Sequence, residues 1–171
     1  MKSLYDSPKI LILEDDPDQM EFFIDMAQTE VTNYINSADL DDVQHENLKD
    51  IQFLKVSNID SLTKAVTTHQ DIFLTILDCN TPDTKDGKPH DQLLKTNHII
   101  TGQHKAVDLV MKHLPDTSII LTSSLNRFRR IIYKYYEKTH GLDVLFVRKS
   151  NPDKLSRNIK LNLKSYINRS N

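Results

Sequence analysis

Five short apolar segments alternate with longer amphipathic segments along this chain, and this alternation constrains its fold more than any other feature. Each apolar segment has the length of a buried strand and is rich in Ile, Leu, Val or Phe. The five are KILILE (9–14), IQFLKV (51–56), DIFLTILD (71–78), SIILTSS (118–124) and VLFVRK (144–149). Repeated strand–helix alternation predicts an α/β fold in which helices cover both faces of a parallel sheet.

Capping residues mark the boundaries of several predicted helices. Asp16 and then Pro17 begin the first helix, in the usual order of an N-cap and a first helical residue. Asn151 and Pro152 repeat this order before the last helix. The segment LNRFRRIIYKYYEKTHG (125–141) predicts a fourth helix that ends at a glycine, a favoured C-terminal cap.

Two polar segments do not fit the alternation. Residues 33–50 and 83–101 are rich in polar residues, and the second also contains Gly and Pro. We interpret both as long connections, one between the first and second strands and one between the third strand and the helix after it. The first could also extend the first helix. No inter-domain linker is visible, so we expect a single domain over residues 1–171.

The composition is that of a globular protein and excludes several classes. Of the 171 residues, 38% are hydrophobic and 27% are charged. No apolar segment is long enough for a membrane span or a signal peptide, so we expect a cytoplasmic protein without membrane association. Cys79 is the single cysteine, which excludes an internal disulfide and a CxxC metal site.

The net charge of −2 conceals an asymmetry along the chain. Residues 1–60 carry 14 acidic and 4 basic residues, whereas residues 117–171 carry 3 acidic and 12 basic residues. A basic C-terminal part could contact nucleic acid. We favour solvated basic helix faces within one compact domain, and we expect no nucleic-acid partner.

Chemically distinctive residues stand at the ends of four predicted strands. Glu14 and Asp15 end the first strand, Asp78 ends the third, Thr122 lies near the end of the fourth, and Lys149 ends the fifth. Ligands of open α/β sheets bind where the carboxyl ends of the strands meet the loops. If the strands are neighbours, these side chains converge at one edge of the sheet.

This set of residues indicates phosphoryl chemistry. Three carboxylates offer the all-oxygen ligands that Mg²⁺ prefers, and a cation would offset the repulsion among them. One carboxylate could then act as a nucleophile and form an aspartyl phosphate. Lys149 and Thr122 would contact oxygens of the phosphoryl group. The simpler alternative for the acids at 14–16 is helix capping, and Asp16 fits that role best.

Four motifs resemble the receiver domain of two-component response regulators. LILEDDP resembles that family's acid pair, LDCNTP its phospho-acceptor segment, IILTSS its fourth-strand Thr or Ser, and VLFVRKS its fifth-strand Lys. The four occur in the family's order and cover nearly the whole chain apart from the two long connections. The chain departs from the family pattern at Ser150, where the family usually has Pro, and at Thr81, where it usually has a hydrophobic residue.

The resemblance implies a flavodoxin-like (βα)5 domain with strand order 2-1-3-4-5 and a role for each matched residue. Asp78 would be the phospho-acceptor, assisted by Thr122 and Lys149, and Phe146 would be the aromatic switch residue. Mg²⁺ would be held by the residues at the matching positions, Glu14, Asp15, Asp78 and Asn80.

The resemblance also implies partners. A histidine kinase or histidine phosphotransfer protein would donate the phosphoryl group. A downstream protein would bind the surface of the fourth helix, fifth strand and fifth helix. Such a protein is not an enzyme beyond self-phosphorylation from small donors and autodephosphorylation, and we expect it to act as a stand-alone receiver.

Two alternatives remain open at this point. A pseudo-receiver would keep the fold and bind partners without being phosphorylated. DCNT (78–81) also resembles the nucleophile motif of haloacid-dehalogenase-type phosphatases, but that family needs an Asp where Asn80 stands. Its nucleophile also usually lies on the first strand of the core.

Overall fold

A computed structural model describes residues 7–78, Thr81, 101–123 and 145–170. The strands of this part are β1 (Lys9–Leu13), β2 (Gln52–Val56), β3 (Ile72–Asp78), β4 (Ser118–Ser123) and β5 (Leu145–Arg148). Its helices are α1 (Pro17–Ser37), α2 (Asp42–Lys49), α3 (Ile59–Thr68), α4 (Thr101–His113) and α5 (Pro152–Ser170). The predicted helix at 125–141 and most of the 83–101 connection lie outside the described residues.

The five strands form one parallel sheet in the order β2-β1-β3-β4-β5. This order and the parallel pairing confirm the predicted doubly wound, flavodoxin-like α/β fold. The sheet has a topological switch between β1 and β3, because the chain moves to one side after β1 and to the other after β2. Ligand sites of such folds lie at the carboxyl edge beside this switch.

The hydrophobic core has two layers because alternate strand residues point to opposite faces of the sheet. Ile10 and Ile12 of β1 pack with α1 and α5, while Leu11 and Leu13 pack with α3 and α4. All four are fully buried. Each such side chain contributes about 1.5–3 kcal/mol to folding, which explains why successive residues of β1 from Ile10 to Leu13 are all apolar.

The predicted N-caps of the first and last helices are present, whereas the predicted C-terminal cap Gly141 lies outside the described residues. The side chain of Asp16 accepts hydrogen bonds from the backbone N–H groups of Asp18 and Gln19, at 2.9 and 3.2 Å. The side chain of Asn151 accepts one from the N–H of Lys154 at 3.1 Å. These bonds satisfy donors that the first turn of a helix leaves unpaired.

The 33–50 connection is more ordered than we predicted from its polarity. α1 extends to Ser37, and a separate helix, α2, follows it. A capping box starts α2: the Asp41 side chain accepts from the N–H of Gln44, whose side chain accepts from the N–H of Asp41. Leu48 of α2 is fully buried against the layer that contains α1 and α5.

A buried ion pair lies at the amino ends of the strands. The ammonium group of Lys9 contacts the carboxylate of Asp71 and donates to the backbone carbonyl of Ser7 at 3.1 Å. Asp71 directly precedes β3, and its carbonyl accepts from the N–H of Lys9 at 3.0 Å. The pair therefore joins the starts of β1 and β3.

Candidate active site at the carboxyl ends of the strands

Strand register brings the predicted site residues to one level of the sheet. Leu13 pairs with Leu77, so Glu14 follows β1 beside the end of β3. Asp78 pairs with Thr122 across β3 and β4. Lys149 follows β5, and its backbone N–H donates to the carbonyl of Ser123 at 3.1 Å.

Lys149 bridges two of the carboxylates. Its Nζ lies 2.5 Å from Oε2 of Glu14 and 3.2 Å from Oδ1 of Asp78. The same Nζ lies 5.8 Å from the ring centroid of Phe23 on α1, within the range of a cation–π contact. The neighbouring Arg148 is exposed. The lysine of this dibasic pair is therefore the residue that reaches the acids.

Three carboxylates form one cluster. Each of Glu14, Asp15 and Asp78 offers an oxygen atom, and these atoms all lie within 4.8 Å of one another. Glu14 and Asp78 are buried, at 2% and 5% exposure, whereas Asp15 faces solvent. Asp16 caps α1 instead, so the three consecutive acids of the sequence divide between two roles.

Electrostatics within the cluster are unbalanced. Burial and the charge of Asp78 raise the pKa of Glu14 to about 7, although Lys149 opposes the shift. Burial disfavours the charged form of Lys149, but the charges of Asp78 and Glu14 outweigh it and raise the pKa of the ammonium group. Lys149 stays protonated at neutral pH, and one lysine does not neutralise the cluster.

Two threonines line the strand ends beside Asp78. Thr122 is fully buried, and its hydroxyl donates to the backbone carbonyl of Leu77 at 3.4 Å. Thr81 is also buried, and its hydroxyl donates to the carbonyl of Asp78 at 3.3 Å. From the sequence, Thr81 is only a departure from the family pattern. In the structure its hydroxyl bonds to the carbonyl of Asp78. Its position three residues after Asp78 was the signal in the sequence for such a local bond.

The remaining predicted residues lie as follows. Phe146 is 6% exposed and packs in the core layer that contains α3 and α4. Its backbone carbonyl accepts from Nζ of Lys154 at 3.1 Å. Asn80 lies outside the described residues. The structure thus brings Glu14, Asp15, Asp78, Thr122 and Lys149 to one edge, and Phe146 lies in the strand that leads to Lys149.

The residues of the cluster fit a divalent cation of the Mg²⁺ type. All the donors are carboxylate oxygens, which are the hard ligands that Mg²⁺ prefers. Burial and then the charge of Asp78 raise the pKa of Glu14, and a positive charge in the cluster would offset both effects. Asp15 is the exposed member, so an ion would enter from its side of the cluster.

Comparisons with solved structures show which proteins share this fold. RcsB of Salmonella typhimurium, a response regulator, matches with a TM-score of 0.59 and 15% identity over 93% of this chain and 61% of its own. The non-phosphorylated receiver domain of RcsB from Escherichia coli matches with a TM-score of 0.54 and 15% identity, covering 94% of this chain and 95% of the domain. The chain therefore spans about three fifths of the full RcsB regulator and nearly all of its receiver domain.

A further match is a chain in the crystal structure of the P1 domain of CheA3 in complex with CheY6 from R. sphaeroides. Its TM-score is 0.54 at 13% identity, covering 92% of this chain and 98% of that one. No protein-family model and no curated protein sequence matches. These likenesses confirm the receiver-domain resemblance for the fold.

Among the described residues, no helix is both long and apolar enough to cross a membrane.

Proposed function

We propose that this chain is a response-regulator receiver that accepts a phosphoryl group on Asp78 with Mg²⁺ and signals by binding a protein partner. The observation that carries this proposal is the bridge from Lys149 to Glu14 and Asp78, with Asp15 in the same cluster. It combines a nucleophilic carboxylate, a cation-binding acid pair and a fixed positive charge at the ligand-binding edge of the fold.

The proposed reaction transfers the phosphoryl group between two side chains. A carboxylate oxygen of Asp78 bonds to phosphorus, and the phosphorus–nitrogen bond of a donor phosphohistidine breaks. The imidazole leaves with the electron pair of that bond. Lys149 lies 3.2 Å from the Asp78 carboxylate, so its ammonium group is placed to pair with a phosphoryl oxygen. The hydroxyl of Thr122 would give up its hydrogen bond to the carbonyl of Leu77 and donate instead to another phosphoryl oxygen.

Glu14, Asp15 and Asp78 would hold the Mg²⁺ ion, and the resemblance implies that Asn80 also contributes. When bound, the ion supplies positive charge that stabilises the phosphoryl oxygens during transfer. Glu14 would act as a metal ligand and not as the nucleophile in this proposal, and its carboxylate is held by Lys149 and by the backbone N–H of Asp16 at 3.3 Å.

Donor and target are proteins in this proposal. A histidine kinase or a phosphotransfer protein would supply the phosphoryl group, and the CheA3–CheY6 complex among the structural matches supports a partner of that kind. Phosphorylation would reposition Thr122 and Phe146 and so change the output surface that the resemblance implies, which includes β5 and α5. The chain would act in the cytoplasm. Without a partner protein, it would catalyse only its own phosphorylation from small donors and its own dephosphorylation.

The test is intact-mass spectrometry after incubation with Mg²⁺ and acetyl phosphate. We expect one phosphoryl adduct on the wild type and none on Asp78→Asn. Asp15→Asn should also lose the adduct, because it removes the exposed member of the metal cluster. Asp18→Asn is the matched control, since Asp18 is an exposed acid three residues further along that lies outside the cluster.

Two results would overturn the proposal. Undiminished labelling of Asp15→Asn or Asp78→Asn would place the chemistry elsewhere. A folded, Mg²⁺-binding wild type that forms neither an adduct nor a beryllofluoride complex would identify a pseudo-receiver that binds partners without phosphorylation.

A further inference from the structure

The side chains of the candidate site lie on the face of the sheet that α1 covers. Val147 of β5 packs in the core layer that contains α1 and α5. Lys149 lies two residues further along, and side chains two residues apart in an extended chain point to the same face. The same spacing holds for two further pairs of a core residue and a site residue, Ile12 with Glu14 and Ile76 with Asp78.

α1 places an aromatic ring against the lysine of this site. Phe23 is fully buried, and the side chain of Lys149 is 15% exposed. The ammonium nitrogen of Lys149 lies over the Phe23 ring, 5.8 Å from its centroid. The face of an aromatic ring carries the negative part of its quadrupole, so it attracts a cation. The ammonium group therefore has three attractive neighbours, namely the ring and the carboxylates of Glu14 and Asp78.

The ring differs from the two carboxylates because it is not a ligand for the cation that the cluster would hold. A cation bound to Glu14 and Asp78 would offset the negative charge that attracts Lys149, and it would repel the ammonium group. The quadrupole of Phe23 is not shared with such an ion. The attraction of the ring for Lys149 would therefore remain when the carboxylates are engaged.

Phe23 also fills space in the core, and this second role has to be separated from the first. Its side chain packs in the same layer as Ile12 and Val147. Its ring also contacts that of Phe22, with centroids 5.8 Å apart and the planes tilted by 53°. Replacement by leucine or alanine would remove volume as well as the quadrupole. A decisive test changes the charge distribution of the ring and keeps its size.

We propose that Phe23 is a positioning residue for phosphoryl transfer, whose ring face holds the ammonium group of Lys149 beside Asp78 while a cation occupies the carboxylates. The inference rests on the proposed function, in which Lys149 pairs with a phosphoryl oxygen. Phe23 acts only through Lys149 in this proposal. Loss of the attraction should slow the transfer about fivefold, which corresponds to about 1 kcal/mol.

The experiment replaces Phe23 with phenylalanine analogues that carry one, two or three fluorine atoms on the ring. Each fluorine withdraws electron density from the ring face, while the ring keeps nearly the same size. The rate at which acetyl phosphate labels Asp78 in the presence of Mg²⁺ should fall at each step, by about fivefold in total for the trifluoro analogue. A ring that only fills space would give the same rate throughout the series.

The same analogues at Phe73 are the matched control. Phe73 packs against the same core layer as Phe23, but it lies near the start of β3, at the other end of the strand from Asp78. Its ring stacks on that of Tyr166, with centroids 4.4 Å apart. A general effect of fluorine on this layer would appear at both positions. We expect labelling of Asp78 to stay at the wild-type rate in the Phe73 series.

A second measurement tests the contact without phosphorylation. The trifluoro analogue at Phe23 is introduced into the wild type and into Lys149→Met, and urea denaturation without Mg²⁺ gives the folding equilibrium constant of each. The analogue should lower this constant about threefold in the wild type and leave it nearly unchanged in the variant that lacks the cation. Lys149→Gln takes the place of Lys149→Met if the latter does not fold.

Three outcomes would overturn the proposal. The first is a labelling rate that stays constant across the Phe23 series. The second is an equal fall in the Phe73 series. The third is a loss of stability from the trifluoro analogue that is the same with and without Lys149. A wild type that is never labelled would instead overturn the proposed function and with it any role of Phe23 in transfer, and urea denaturation would still show whether the ring holds Lys149.

Discussion

Each end of the sheet holds a lysine against carboxylates, but the charges are balanced at only one end. At the amino end, Lys9 is 7% exposed and meets one carboxylate, that of Asp71, and a backbone carbonyl. At the carboxyl end, Lys149 meets Glu14 and Asp78, and Asp15 lies in the same cluster. One end therefore pairs one lysine with one acid, and the other places one lysine among three.

This difference shows that an excess of one charge, rather than burial alone, marks the candidate site. A matched buried pair can serve the fold, because each partner offsets the desolvation of the other. Three carboxylates around one lysine leave negative charge uncompensated. Burial is the main cause of the raised pKa of Glu14, and the charge of Asp78 raises it further, although Lys149 opposes the shift. The amino end needs nothing further, whereas the carboxyl end gains from a cation or a positively charged ligand.

Replacing each lysine with methionine should give the largest contrast. Lys149→Met leaves three carboxylates without a counter-charge and should lower the free energy of unfolding by about 4 kcal/mol. It should also reduce acetyl-phosphate labelling of Asp78 by about 100-fold, since a fixed positive charge at the phosphoryl group is lost. Lys9→Met should lower the free energy of unfolding by about 3 kcal/mol, because it also leaves a buried carboxylate unpaired. Labelling of Asp78 should not change in this variant.

Urea denaturation and mass spectrometry on the folded fraction measure these two effects. Equal labelling of Lys149→Met and Lys9→Met would show that the two lysines do not differ in role, and it would remove the basis of the comparison.

A smaller effect concerns the pH dependence of stability without Mg²⁺. The pKa of Glu14 is raised from 4.5 to about 7 on folding, so the unfolded chain binds fewer protons at this group between those values. The favourable contribution of Glu14 to the free energy of unfolding is complete below about pH 4.5 and is lost as the pH rises through about 7. Allowing for partial solvation, we expect about 1–2 kcal/mol of loss from this group between pH 5 and pH 8.

Glu14→Gln tests this interpretation, because glutamine cannot ionise. The variant should be less sensitive to pH over that range and more stable than the wild type at pH 8, with urea denaturation as the measurement. Glu21→Gln is the control, since Glu21 lies on the surface of α1. If the Glu14→Gln variant keeps the pH dependence of the wild type, a group other than Glu14 is responsible for that dependence.

The smallest effect lies at the amino end. The Oγ1 atom of Thr117, just before β4, is buried and has no hydrogen-bond partner within the described ranges. Thr117→Val keeps the shape of the side chain and removes the unsatisfied hydroxyl. It should raise the free energy of unfolding by about 0.5–1 kcal/mol, measured by thermal or urea denaturation. A loss of stability would instead indicate that a water molecule pairs with this hydroxyl.

Much of the fold could be predicted because its signals are local. The strands lie within one residue of their predicted limits, since each apolar segment is bounded by polar or turn-forming residues. Asp16 and Asn151 cap helices as their sequences predict. α2 was not predicted, because it contributes a single buried side chain, Leu48, and shows no apolar stripe. The spacing of Asp41 and Gln44, which form its capping box, was the available signal.

The site was predicted less completely because its contacts depend on strand register and side-chain conformation. The positions of Glu14, Asp78 and Lys149 at strand ends follow from the sequence. The direct contact of Lys149 with Glu14 does not, since a flexible lysine could equally reach solvent. The hydrogen bond from the Thr81 hydroxyl to the carbonyl of Asp78 was also not predicted and is seen only in the structure.

The edge strand β2 has a consequence for the behaviour of this protein at high concentration. Among the described strands it pairs only with β1, so its outer side could accept a strand from another molecule and start aggregation. β2 has only five residues, fewer than the roughly six or seven of a typical fibril-forming segment. Lys55 on this strand carries a charge to the surface and is held there by Glu21. This edge of the sheet therefore carries its own protection against fibril growth.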